Sequence, residues 1–348
     1  MGIAPATDDG STKVQDQHAY FKVNNLRKLF PLNKRGQFWG KRQYIHAVDD
    51  VSFEIKKGMT YGVVGESGCG KTTLARTMMH LEEPTSGEML FKGDDITKFN
   101  RKQMTSLRRQ MQMVFQDPYG SLNPVRTIHN IVAEPVRVHS IFDNKRDEID
   151  KVREMLEVVG LPSDNQTLEK RPNEFSGGER QRIGIARSLI LEPEFIVADE
   201  PVSMLDASVR ADIISLMRRL KQERDLTYFF ITHEFGMARA ICDRIAVMYA
   251  GRLVEVANAA AIVDHPLHPY TQLLIDAIPP LIPDENWGKT IPEGEVPYFT
   301  VPPPGCRFNP RCYKADELCR SEMPELIDYR NGHYVSCHHV SGPGQIKK

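Results

Sequence analysis

Short apolar runs, each closed by a turn or by polar residues, recur along the middle of the chain. YGVV from Tyr61 leads into a glycine-rich turn and then into Leu74, Met78 and Leu81, the spacing of one helix face. FIVA from Phe195 to Ala198 stops at Asp199 and Glu200, and YFFIT ends just before His233. Such runs show little alternation, as expected of strands buried between helices on both faces. IDKVREMLEVVG places Ile149, Val152, Leu156 and Val159 on one helical face, with Gly160 positioned to end the helix. The pattern predicts one α/β domain over residues 20–257, with a helical subdomain at about 100–190. Proline-rich punctuation (IPPLIP, VPPPG) marks a small irregular C-terminal region over 258–348. Residues 1–19, rich in Asp, Ser and Gln, read as a disordered lead.

Chemistry gathers where the apolar runs end. Gly65, Gly70, Lys71 and Thr72 satisfy G-x4-G-K-[ST], and the motif sits between a strand and a helix, the context it requires. Glycines let the backbone turn tightly enough for successive amides to face phosphate oxygens, and the helix N-terminus adds its dipole. Gly65, Glu66, Ser67, Gly68, Cys69, Gly70, Lys71, Thr72 and Thr73 are therefore the candidate nucleotide-phosphate site. Lys71 is suited to the terminal phosphates and the Thr72 hydroxyl to Mg2+; Cys69 reads as a packing residue. Asp199 is suited to hold Mg2+ and Glu200 to polarise an attacking water. FSGGERQRIGIARSLI opens an amphipathic helix with Ser176, Gly177, Gly178 and Glu179, a second anion site at a helix N-terminus.

With that third element the sequence resembles the ABC-transporter ATPases, whose signature is LSGGQ or LSGGE; Phe175 stands here for the leucine. The resemblance implies a P-loop NTPase fold of the ABC ATPase kind, in which one subunit's signature closes on the nucleotide held by another. It further implies that Gln116, in MVFQDPYGSLNP, senses Mg2+ and the attacking water and links to the membrane subunits. Asp206 matches the D-loop, although Met204 replaces the usual alanine, and His233 matches the switch histidine at the γ-phosphate. Phe30 best fits the aromatic that stacks on adenine, with Tyr44 as a rival.

HPLHPYTQLLIDAIP is similar to the segment that follows the ATPase core in oligopeptide and dipeptide importers, and RRQMQMVFQDPYGSLNP looks closer to the second ATPase such importers carry. This implies a subunit that couples ATP hydrolysis to uptake of peptides delivered by an external substrate-binding protein. Its implied partners are a second, non-identical ATPase and two transmembrane permease subunits, and its implied place is peripheral, on the cytoplasmic face of the membrane. Importers of sugars or nickel use the same motor and remain an alternative. A soluble ABC ATPase acting on nucleic acid or ribosomes is disfavoured, because the chain has one cassette and no long heptad insertion. A non-hydrolytic regulatory subunit is disfavoured by the intact catalytic positions.

Composition adds two points. Formal net charge is -1, from 45 basic and 46 acidic side chains, so no global field argues for nucleic acid. The exception is Phe21 to Val48, with seven Lys or Arg and no acidic residue: a solvated loop, or a contact for phosphate or anionic lipid. No run approaches the roughly 18 to 20 apolar residues of a membrane span, and no signal peptide opens the chain. Four of six cysteines (Cys306, Cys312, Cys319, Cys337) lie near the C-terminus, spaced C-x5-C-x6-C-x17-C. A reducing compartment disfavours a disulfide framework, and zinc sites usually use C-x2-4-C pairs. Four thiolates on loops can wrap an iron–sulfur cube, and the resembling importers are associated with a [4Fe-4S] cluster here. The alternatives are the cluster in a structural role, zinc, or no metal; His333, His338 and His339 read as solvated surface or substitute ligands.

Overall fold

The computed structural model describes residues 19–32, 43–278 and 296–340. The expectations on the N-terminal lead, on the basic run KRGQFWGKR and on most of IPPLIP fall outside the described residues. In chain order the strands are β1 (Phe21–Pro31), β2 (Tyr44–Ile55), β3 (Thr60–Val64), β4 (Ser86–Phe91), β5 (Asp94–Asp95) and β6 (Met111–Val114). They continue as β7 (Phe195–Asp199), β8 (Thr227–Thr232), β9 (Arg244–Tyr249), β10 (Arg252–Asn258), β11 (Ile327–Arg330) and β12 (His333–Val335). The helices are α1 (Lys71–Met78), α2 (Arg101–Gln110), α3 (Ile128–Val138), α4 (Lys145–Val158), α5 (Asn165–Glu169) and α6 (Gly177–Leu189). After these come α7 (Ala207–Arg224), α8 (Phe235–Ile241), α9 (Ala259–Asp264), α10 (Pro269–Asp276) and α11 (Glu317–Ser321).

The unbroken apolar runs form the centre. Every residue of β3, β7 and β8 is buried, and β6, β7, β8, β3 and β9 pair in parallel in that spatial order. Parallel strands need both faces covered, which is why their sequences are apolar throughout and not alternating. An antiparallel sheet of order β2-β1-β4-β5 lies against this one. Aromatic rings join the two: Phe53 of β2 stacks on Tyr61 of β3 at 5.0 Å, and Phe21 of β1 on Phe195 of β7 at 5.2 Å.

Helices α3 and α4 pack on α6, with Val152, Leu156 and Val159 buried as the periodicity predicts, and Met155 joins them. Gly160 adopts φ +75° just past the end of α4, the left-handed geometry that lets a helix stop there. Arg137 of α3 grips Glu148 of α4 with two bonds of 2.7 and 2.6 Å, fixing how the two helices meet. Two expectations change. Leu81 is half exposed, because α1 ends at Met78 before a third turn of apolar spacing is complete. The stretch from 100 to 190 is not wholly helical either: β6 interrupts it and belongs to the central sheet.

The C-terminal region is more ordered than its prolines suggest. The hairpin β11–β12 adds to the central sheet through β10, with Glu255 opposite Val335, and Val335 is fully buried. Arg307 is buried and bonds both Asp49 on β2 and the Ala250 carbonyl. Removing one member of a buried ion pair leaves the other charge uncompensated, a loss of about 3–5 kcal/mol. Arg307→Ala is expected to lower stability by about that much, with the C-terminal region released first to trypsin. Arg307→Met with Asp49→Asn should recover part of the loss in denaturant unfolding, since neither member of the buried pair is then left charged, although Arg27 and His46 lose their partner and the Ala250 carbonyl its donor.

Candidate active site

The register of the parallel strands sets the site. Val64 of β3 lies opposite Thr232 of β8, Asp199 of β7 opposite Ile231, and Val114 of β6 opposite Ala198. All four strands therefore end at one edge, and the residues that follow them meet there, the position where open α/β sheets bind ligands. A cavity of about 650 Å³ opens at that edge. Its lining includes the whole loop from Gly65 to Thr73, together with Gln116, Glu200 and His233.

The loop between β3 and α1 is shaped by glycine. Gly70 has φ +109°, and a Cβ there would sit 2.2 Å from the Ala47 carbonyl oxygen; at Gly65 it would sit 2.3 Å from that of Met248. Lys71 is buried, and its ammonium donates to the carbonyls of Gly65 at 2.7 Å and Glu66 at 2.9 Å. That holds the cation over the loop, beside the N-terminus of α1. Cys69 is buried, as expected of a packing residue, and burial raises its thiol pKa.

Thr72 donates its hydroxyl to Asp199 at 3.1 Å, so the two expected Mg2+ ligands already touch. Burial pushes the Asp199 carboxyl above its ordinary pKa, and neighbouring Glu200 adds to the shift. A bound cation would reverse that preference, which suits these two oxygens to a divalent metal. Glu200 is held the other way. His233 Nδ1 lies 3.2 Å from Glu200 Oε2, Gln116 donates to the same oxygen at 3.2 Å, and Lys71 lies 3.9 Å from Oε1. The bond from His233 and the charge of Lys71 lower the Glu200 pKa, while Glu200 raises that of His233. Glu200 thus stays an anion. Its φ of +44° is unusual for a residue with a Cβ and marks stored strain at this position.

Other predicted residues stand apart. Ser176 caps α6 and shares a capping box with Glu179, its N–H donating to the carboxylate at 2.8 Å and its hydroxyl at 2.7 Å. A Cβ at Gly178 would meet Val209 at 2.5 Å, so this glycine permits close packing of α6 on α7. Neither Ser176, Gly177, Gly178 and Glu179 nor Asp206 lines the cavity of its own chain.

Phe30 lies on β1 opposite Ile45, with the Lys28 ammonium 4.7 Å over its ring, and neither Phe30 nor Tyr44 is among the lining residues. Besides His233, the aromatic rings that line the cavity are those of His46 and Tyr298. Sequence reasoning singled out neither: His46 lies on β2, and Tyr298 comes from far along the chain.

A second, small pocket gathers all four C-terminal cysteines, with His268, Phe308, His338 and His339 in its wall. Burial raises the thiols, Cys306 to about 11, and the nearby thiols raise them further. Among the described residues, Asp316, Cys319 and His339 alone bring three ligand atoms within 4.8 Å. The histidines are not free surface: His333 bonds Glu255, His338 the Glu322 carbonyl, and His339 lies 3.5 Å from Cys319.

A P-loop at the edge of a parallel sheet, two acidic residues at the end of β7, one strand removed from β3, and a capped signature helix together define an ABC ATPase. The ABC transporter family matches residues 48–203, and the oligopeptide/dipeptide transporter C-terminal region matches 254–319. The chain is 44% identical over 327 residues to the oligopeptide transport ATP-binding protein AppF of Bacillus subtilis, covering 93% of this chain and 98% of that one. It is 42% identical to the dipeptide transport ATP-binding protein DppF of Haemophilus influenzae, covering 95% and 99%. Among solved structures, the ATP-binding cassette MJ0796 bound to ADP and Pi aligns with a TM-score of 0.59 at 27% identity, over 69% of this chain and 98% of its own. This chain belongs to the ATP-binding subunits of the oligopeptide/dipeptide ABC transporters. It is an ATPase-family, ATP-binding protein, and among the described residues no helix is long and apolar enough to cross a membrane.

Gly70→Ala tests the loop directly. The clash with the Ala47 carbonyl and the positive φ are expected to abolish ATP binding and to lower the melting temperature by several degrees, a loss of about 1–3 kcal/mol. Calorimetric titration and thermal unfolding would check both.

Proposed function

We propose that this chain is the ATP-hydrolysing subunit of a peptide importer, with the cavity at the end of β3 as its catalytic half-site. The observation that carries this reading is the cluster Lys71, Glu200, Gln116 and His233 around one strand edge, with Thr72 bonded to Asp199 beside it. Kinship to AppF and DppF supports peptides as the solute. It also supports permease subunits and a substrate-binding protein as partners, with the ATPase peripheral on the cytoplasmic face. In this reading the ATPase core runs to about residue 257, and a C-terminal region follows.

The proposed mechanism uses each side chain for one task. Mg2+, held by Thr72, Asp199 and Gln116, would screen the phosphate charges when bound. The amides of the loop and the Lys71 ammonium bind the phosphates. Glu200 remains ionised, so it orients and polarises the attacking water rather than waiting as a strong base. His233 and Gln116 hold its carboxylate in place. The signature Ser176–Glu179 and Asp206 lie outside the cavity of their own chain, which supports their serving the nucleotide of a second ATPase subunit. That subunit is proposed to be a different chain.

Glu200→Gln should keep ATP affinity and cut steady-state hydrolysis about 10²- to 10⁴-fold, while favouring the closed dimer. Turnover near the wild-type rate would remove Glu200 from its role. Lys71→Ala is expected to weaken ATP binding itself; an unchanged dissociation constant would contradict the phosphate-loop reading.

For the cysteine pocket we propose a structural [4Fe-4S] cluster held by Cys306, Cys312, Cys319 and Cys337. The observation that supports it is one small pocket walled by all four cysteines, whose thiols would give up their protons on binding a metal. Four sulfurs around one zinc, at 2.3 Å bonds, would lie about 3.8 Å apart, whereas no three of these cysteines fall within 4.8 Å. A cluster that spreads its irons over separate corners fits the wider spacing. The second reading is a single zinc at Asp316, Cys319 and His339, favoured by their proximity. Iron quantification after anaerobic purification separates them: several irons per chain with a brown colour support the cluster, and one zinc in a colourless protein supports the trio.

A further inference from the structure

Glu66, the second residue of the phosphate loop, has its three polar groups held at once. Its carboxylate takes a two-pronged ion pair from Arg311, Nη1 to Oε2 at 2.9 Å and Nη2 to Oε1 at 3.1 Å. Its N–H donates to the Tyr270 hydroxyl at 2.9 Å, and its carbonyl accepts from the Lys71 ammonium at 2.9 Å. Two of these three partners come from the C-terminal region. Tyr270 belongs to the HPYT stretch and is buried, its ring 4.7 Å from Tyr249 and 5.3 Å from Phe308. Arg311 ends a short turn, Asn309–Arg311, set between Cys306 and Cys312, and its side chain is only 11% exposed. Nearby, Tyr298 lies over the outer side of the loop: a Cβ on Gly68 would come within 2.7 Å of its hydroxyl.

We propose that Arg311 is a positioning residue for nucleotide binding, acting from the C-terminal region through Glu66 on the phosphate loop and on Lys71. This rests on the nucleotide site proposed above. A planar guanidinium that engages both carboxylate oxygens fixes direction as well as distance. With Tyr270 on the amide, it leaves Glu66 one conformation, and the Glu66 carbonyl then fixes one side of the Lys71 ammonium. A glycine-rich loop is otherwise free to take many shapes, and ordering it before the phosphates arrive removes part of the entropic cost of binding. Asp199, Glu200 and His233 bond Thr72, Gln116 and one another rather than Glu66 or Arg311, so the effect falls mainly on affinity and little on turnover. The HPYT stretch and the cysteine-flanked turn thereby become parts of the nucleotide site.

The test uses the full chain with Mg-ATP, read by calorimetric titration, steady-state hydrolysis and thermal unfolding. Arg311→Ala is expected to raise the ATP dissociation constant and KM about tenfold, with kcat within about twofold of wild type. Glu66→Ala should give the same rise, and the double variant no more than either alone, because both remove one interaction. Arg311→Lys keeps the charge but loses the fork, so it should fall between. Should the alanine variant fail to fold, Arg311→Lys and Glu66→Gln carry the same measurement. Unchanged ATP affinity with a lowered melting temperature would overturn the proposal, as would additive losses in the double variant. Wild-type protein that fails to bind ATP would instead strike the nucleotide-site reading itself.

Discussion

Parallel pairing of β6, β7, β8 and β3 is the constraint on which the rest depends. In an antiparallel sheet, neighbouring strands would deliver their following loops to opposite edges. Here all four point one way, so the phosphate loop, Gln116, Asp199, Glu200 and His233 come to the same edge although they span more than 160 positions of sequence. The burial that this arrangement demands explains the unbroken apolar runs, and the helices and second sheet exist largely to cover them.

Electrostatics within the edge are divided between the two adjacent acids. Asp199 is buried beside Thr72 and prefers a proton unless a cation is present, whereas Glu200 is held ionised by His233 and Lys71. A single peptide bond separates these environments, and Glu200 adopts a φ of +44°. Two carboxylates of similar intrinsic acidity thereby acquire different tasks.

The C-terminal region is bound to the ATPase body at several levels. Its hairpin extends the central sheet, Arg307 reaches Asp49 on β2, and Arg311 with Tyr270 reaches Glu66. The cysteine pocket shares Phe308 and His268 with the aromatic cluster under Tyr270. Arg311 projects from the short turn between Cys306 and Cys312, so one segment borders both the cysteine pocket and the phosphate loop.

Local sequence determined the elements whose physics is local. The phosphate loop needs glycines at fixed spacing before a helix, α6 needs Ser176 and Glu179 three residues apart, and α4 needs its apolar face and Gly160. Each was legible because the causes lie within a few residues. Pairing across the chain was not legible. Nothing near Leu81 reveals that α1 stops early, and the prolines around the cysteines concealed a hairpin that pairs with β10. Glu66 is the clearest case: the motif places it in the loop, but only the tertiary structure decides that it is gripped by Tyr270 and Arg311, 204 and 245 residues away. Contacts at such separation depend on which strands become neighbours, and that is settled by burial over the whole chain.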